Sequence, residues 1–160
     1  MINKNVLMIF FQIISLFGTP FFYAPSIVYL FNIKFDIAIN LIFILIFTEI
    51  VCGAIKYIYP KKRPVPMPNK TFVQKYFAGS FPSVHTARIS AFSVILIRFY
   101  TDKLFILVIL LLLIIFVGYS RIYLKKHYFI DVLGGFLIGA MISSIGLLAQ
   151  NNIGYYFSNH

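Results

Sequence analysis

Apolar runs separated by short polar breaks set the plan of this chain. Ile37 to Tyr59, Pro82 to Tyr100, Leu104 to about Ile122 and His127 to Gln150 each read as a membrane span. Val6 to Phe31 is equally apolar but is interrupted by Gly18, Pro20 and Pro25. It reads as one long kinked span or as a short interfacial helix followed by a span from about Pro20, and the second is favoured. The breaks are a turn at Asn32–Asp36, a tight turn at Thr101–Lys103 and a basic link at Tyr123–Lys126. Pro60 to Ser80 is the one long loop, rich in proline and lysine, and Asn151 to His160 is a polar, aromatic tail. Gly134, Gly135, Gly139 and Gly146 give the last run small faces for close helix packing. There is no internal repeat. The pattern predicts an all-α fold: a polytopic membrane helical bundle of about five spans, as a single integral-membrane domain over residues 1–160.

Composition narrows this further. The chain is 61% hydrophobic and only 11% charged, with a mean hydropathy of +0.91. A soluble domain of 160 residues does not carry so much apolar surface with so little charge to cover it. The stretch after Lys4 looks superficially like a signal peptide. No small-residue cleavage site follows, so it reads as retained. The single cysteine, Cys52, lies inside an apolar run and excludes a disulfide framework or a cysteine-based metal cluster. The net charge of +10 admits nucleic acid, anionic lipid or a phosphate-bearing substrate as partner. Nucleic acid is disfavoured, because the basic residues are divided among short loops rather than gathered in a soluble module.

Polar chemistry is scarce, and it clusters. Gly118 to Asp131 holds Arg121, His127 and Asp131, in a chain with three histidines and four acidic residues. On a helix, His127 and Asp131 would share a face about one turn apart, and the carboxylate could hold one imidazole nitrogen. A second cluster, Phe81-Pro82-Ser83-Val84-His85, begins a span with a helix-start signature, and free amides there suit an anion. A third is Lys56 with Arg63-Pro64. Alternating crossings bring all three to one membrane face, as a single site requires. Lys61 and Lys62 read as snorkelling interfacial cations. Arg88 reads equally well as support for the site or as an interfacial cation. Glu49 reads as a structural partner of a nearby cation or hydroxyl.

Lys56-x6-Arg63-Pro64, Pro82-Ser83-x-His85 and Ser120-Arg121-x5-His127-x3-Asp131 resemble the three-part signature of the type 2 phosphatidic acid phosphatase superfamily in order and spacing. One departure is Val84, where the family often has glycine. The resemblance implies that His127 attacks phosphorus and forms a phosphohistidine, that Asp131 orients it, and that His85 protonates the leaving oxygen. Lys56, Arg63 and Arg121, with Ser83 and the Val84 amide, would then neutralise the phosphoryl oxygens. It implies no cofactor, and the sequence offers no carboxylate cluster for a divalent metal. The implied substrate is a lipid phosphate at the bilayer surface. Polyprenyl diphosphate comes first, phosphatidic acid or phosphatidylglycerol phosphate second, and a lipid phosphotransferase is an alternative activity. A flippase or a non-catalytic lipid binder could share the basic pocket but has no need of the His127–Asp131 pairing. A haloperoxidase with the same cradle is opposed by the composition. Family precedent places the site at the extracytoplasmic face of the cell membrane, whereas the lysine-rich loops on that side point the other way.

Overall fold

A computed structural model describes residues 3–100 and 104–158. The turn expected at Thr101–Lys103 lies outside the described residues. Every regular element among the described residues is an α-helix: α1 (Lys4–Leu16), α2 (Pro20–Ile33), α3 (Phe35–Ile58), α4 (Phe72–Ala78), α5 (Val84–Phe99), α6 (Leu104–Tyr123) and α7 (Phe129–Ser158). The last helix continues past the end expected at Gln150. The fold is all-α, and the protein is integral to a membrane. Phe21, Phe43, Leu104, Phe105, Ile115 and Leu148 all face outward, a surface that lipid rather than water solvates.

Five spans is an approximation. Among the described residues α3, α6 and the Phe129–Gln150 part of α7 are long and apolar enough to cross a bilayer; α1 and α2, bent by 44°, make a fourth if they act as one broken span. The expected fifth, α5, has 16 residues, a rise of about 24 Å against a hydrocarbon core of about 30 Å. It is the central helix, packed against α3, α6 and above all α7. That position lets it carry Thr86, Ser90 and Ser93, all buried, without exposing them to lipid.

Small residues bring α5 and α7 together. A Cβ at Gly135 would lie 2.3 Å from the Ser83 carbonyl oxygen, and one at Gly139 would lie 2.1 Å from that of Ala87. Close backbones permit cross-helix hydrogen bonds: Ser90 Oγ donates to the Phe136 carbonyl at 2.9 Å, and Ser143 Oγ to that of Ala91 at 3.2 Å. The two short helices are docked as well. Phe11 of α1 packs on Tyr119 and Tyr123 of α6, so α1 is held to the bundle rather than lying only at an interface. The expected long loop contains α4, started by a capping box between Thr71 and Gln74.

Candidate active site

The x5 and x3 spacings of the Arg121–His127–Asp131 stretch follow from how α6 ends and α7 begins. At the end of α6, Lys126 N–H donates to the Arg121 carbonyl (3.0 Å) and Lys125 N–H to that of Ile122 (2.9 Å). Lys125 lies in the left-handed region, φ 53°. This is the Schellman arrangement, with lysine where glycine is commonest. The same Arg121 carbonyl also accepts from His127 N–H at 3.2 Å, which pins the histidine to the arginine's backbone. One residue on, α7 starts at its cap Tyr128, whose N–H donates to Asp131 Oδ2 at 2.8 Å. Asp131 is therefore the N3 half of a helix cap, a place the helix dipole favours for a carboxylate.

Ser80 joins this turn to the loop. His127 Nδ1 lies 2.7 Å from the Ser80 carbonyl, which can only accept. Nδ1 therefore carries the proton, and Nε2 presents a lone pair. Asp131 Oδ2 is 3.8 Å from Nδ1. The carboxylate sits behind the ring, and its nearest donors are Lys61 Nζ at 2.7 Å, the Ser80 hydroxyl and Tyr128 N–H. Both His127 and Asp131 are buried. Burial pushes the His127 imidazole down to about 4. Asp131 pulls it upward, and Arg63, Arg121 and Lys56 lower it further. The ring is neutral at physiological pH, as a nitrogen nucleophile must be.

A cavity of about 220 Å³ opens in front of it, lined by Lys56, Arg63, Val84, His85, Arg121 and His127, with Arg88 beyond His85. The cations are held but not satisfied. Lys56 Nζ reaches the Tyr76 carbonyl at 3.4 Å and lies 4.8 Å over the Tyr76 ring. Arg63 makes long contacts to the carbonyls of Gly79 (3.4 Å) and Lys126 (3.5 Å). Arg121 Nη1 donates to Ser15 of α1. Among the described residues the buried Nε atoms of Arg63 and Arg121 have no acceptor. The first-turn amides of Val84 and His85 have none either. Buried donors of this kind call for an anion.

Ser83 is placed differently from the sequence expectation. Its side chain is fully buried and does not line the cavity. Its hydroxyl accepts from Thr86 Oγ1 at 3.0 Å, and its N–H donates to the Asp131 carbonyl at 2.8 Å, tying the starts of α5 and α7 together. Two contributors, Ser80 and Tyr76, were not foreseen in the sequence: Ser80 holds Asp131 and Tyr76 seats Lys56. Lys61, expected only to snorkel, also binds Asp131, and Arg88, expected either to support the site or to sit at the interface, is paired with Glu49 through Nε (2.9 Å) and Nη2 (2.6 Å). The Glu49 pairing is of the kind the sequence pointed to. Nothing distinguishes Lys61 from Lys62 in sequence. Among the described residues no three His, Cys, Asp or Glu side chains converge as metal ligands.

The family model of the PAP2 superfamily matches residues 37–155. An undecaprenyl-diphosphatase of Sulfolobus acidocaldarius is 26% identical over 151 residues, covering 92% of this chain and 71% of that protein. The solved structure of Aquifex aeolicus LpxE superposes with a TM-score of 0.77 at 27% identity, over 91% of this chain and 87% of that one. A phosphatidylglycerolphosphate phosphatase of PAP2 type from Bacillus subtilis has the same fold, with a TM-score of 0.77 at 23% identity, over 95% of this chain and 80% of that one.

Proposed function

The chain belongs to the PAP2 superfamily as a membrane lipid phosphatase, and we propose that it hydrolyses polyprenyl diphosphate through a phosphohistidine on His127. One observation carries the mechanism: a neutral His127 faces a cavity in which the Nε donors of Arg63 and Arg121 lack any acceptor among the described residues. The similarity to an undecaprenyl-diphosphatase supports the substrate class.

In this mechanism the terminal phosphoryl group lies among Lys56, Arg63, Arg121 and the amides of Val84 and His85. His127 Nε2 attacks phosphorus in line as the bond to the bridging oxygen breaks, and His85 gives that oxygen its proton. The phosphate beside His85 supplies the negative charge that keeps it protonated before the step. Charge on the five-coordinate transition state falls on donors already aimed at it, so little reorganisation is needed. The Ser80 carbonyl holds Nδ1–H, and Asp131 stabilises the imidazolium that develops on phosphorylation. His85 then takes a proton from water as it attacks the phosphohistidine. Cations and amides do the work a divalent metal would otherwise do, so the reaction proceeds in EDTA. We place the site at the extracytoplasmic face of the cell membrane.

The test is phosphate release by detergent-purified protein from polyprenyl diphosphate, phosphatidic acid and phosphatidylglycerol phosphate, with EDTA present. Polyprenyl diphosphate is expected to have the highest kcat/KM, and His127→Ala to remove release from every substrate. A folded His127→Ala protein that keeps more than about one part in a hundred of the activity removes His127 as nucleophile. A strict magnesium requirement removes the metal-independent scheme.

A further inference from the structure

The mechanism leaves Arg88 unused, although it lines the same cavity as His85 and His127. It lies three residues beyond His85 on α5, on the same face and about one turn deeper in the membrane. Its Nε–Nη2 edge is fixed by Glu49 of α3, and Nη1 donates to the Gly18 carbonyl at 3.3 Å. A guanidinium has five N–H groups. Three are used in these contacts, so one on Nη1 and one on Nη2 remain. Glu49 also accepts from the Tyr76 hydroxyl, so its charge is held by two partners. This pairing lets an arginine sit below the membrane surface with donors to spare.

Arg88 also lines a second space. A groove of about 480 Å³ runs between α2 and α3, lined by Pro20, Tyr23, Ile27 and Leu45, with Glu49 and Arg88 at its polar end. Arg88 is the junction between the phosphate cavity and an apolar groove. A diphosphate lipid has this same order. Its terminal phosphate is followed by a second phosphate nearer the chain, and then by hydrocarbon.

We infer that Arg88, held by Glu49, is the subsite for the second, chain-proximal phosphate of the substrate, and that the α2–α3 groove takes the first part of its hydrocarbon chain. The inference rests on the proposed diphosphatase reading and names the residue that selects diphosphate over monophosphate. When the bond between the terminal phosphorus and the bridging oxygen breaks, the electron pair and the His85 proton stay with the lipid monophosphate. Arg88 donates to the non-bridging oxygens of that leaving phosphate as its charge grows.

The test compares polyprenyl diphosphate with polyprenyl monophosphate of the same chain, using wild type, Arg88→Gln, Arg88→Lys and Glu49→Gln. Losing a charge-assisted donor pair is expected to lower the diphosphate-to-monophosphate ratio of kcat/KM about tenfold or more in Arg88→Gln. Glu49→Gln lowers the ratio less, and Arg88→Lys recovers part of it. Inhibition supplies a readout that does not depend on turnover. Inorganic diphosphate should lose potency against Arg88→Gln, while orthovanadate, which fills only the terminal site, keeps most of its own. Equal losses on both substrates with both inhibitors weakened alike, or a wild type without diphosphate preference, overturns the inference and leaves a lipid phosphatase standing. A wild type inactive on every lipid phosphate overturns the proposed function itself.

Discussion

The His127 ring is held from behind by a carbonyl, while Asp131 divides its charge among Lys61, Ser80 and Tyr128. That division bears on the pH dependence. In the proposed mechanism free-enzyme kcat/KM needs neutral His127, so its acid limb is expected near the folded value of about 4, with activity rising as pH rises through it. Removing the Lys61 ammonium frees Asp131 to act more fully on the imidazole. A carboxylate nearby favours the charged ring, so Lys61→Met should move the acid limb to higher pH. The pH profile of kcat/KM for the two proteins checks this, and a limb that stays put or moves down refutes the coupling. The sequence exposed the histidine and its acid because both are rare in so apolar a chain. It hid Lys61, because a lysine at an interface has an ordinary snorkelling role, and it hid Ser80, whose positioning group is partly a backbone carbonyl. It also suggested a cavity role for the Ser83 hydroxyl, which the first turn of α5 turns inward to Thr86.

Helices α5 and α7 explain why the site holds its shape. Their backbones approach where glycine leaves space, and the tightest approaches, at Gly135 and Gly139, lie one and two turns beyond Asp131. An added methyl there meets carbonyl oxygens of α5 that cannot rotate away. Gly146 differs. Its Cβ would meet Ile44 Cδ1 at 3.0 Å, the flexible end of a side chain. Gly135→Ala and Gly139→Ala should each destabilise the protein by about 1–3 kcal/mol, whereas Gly146→Ala should cost less than about 1 kcal/mol. Thermal unfolding in detergent measures this; three equal shifts would show that the close backbone contact is not what matters. The four glycines were legible as packing residues, since small residues recur where membrane helices meet. The length of α5 was not. Hydropathy sees an apolar run from Pro82 to Tyr100 and cannot see that neighbouring helices enclose it. The x5 and x3 spacings were legible only as a pattern, and their cause is the cap that ends α6 and the cap that starts α7.

Across the whole molecule, the question is which way the cavity faces. By sequence, Lys61, Lys62, Lys70, Lys75, Lys125 and Lys126 lie on the active-site side, against Lys34, Arg98 and Lys103 on the other. Taken at face value, this bias opposes the outward orientation proposed above. The structure weakens it. Lys61 is bound to Asp131, and Lys126 lines the cavity in front of His127, so the candidate site accounts for both. Four lysines then stand against three basic residues, too small a margin to fix topology. The single native cysteine, Cys52, is fully buried, which makes a labelling experiment clean. Lys70 and Arg98 are exposed at opposite ends of the bundle. With a membrane-impermeant maleimide, Lys70→Cys should label in intact cells and Arg98→Cys only after permeabilisation. The reverse pattern would turn the cavity to the cytoplasm and confine its substrates to lipids of the inner leaflet.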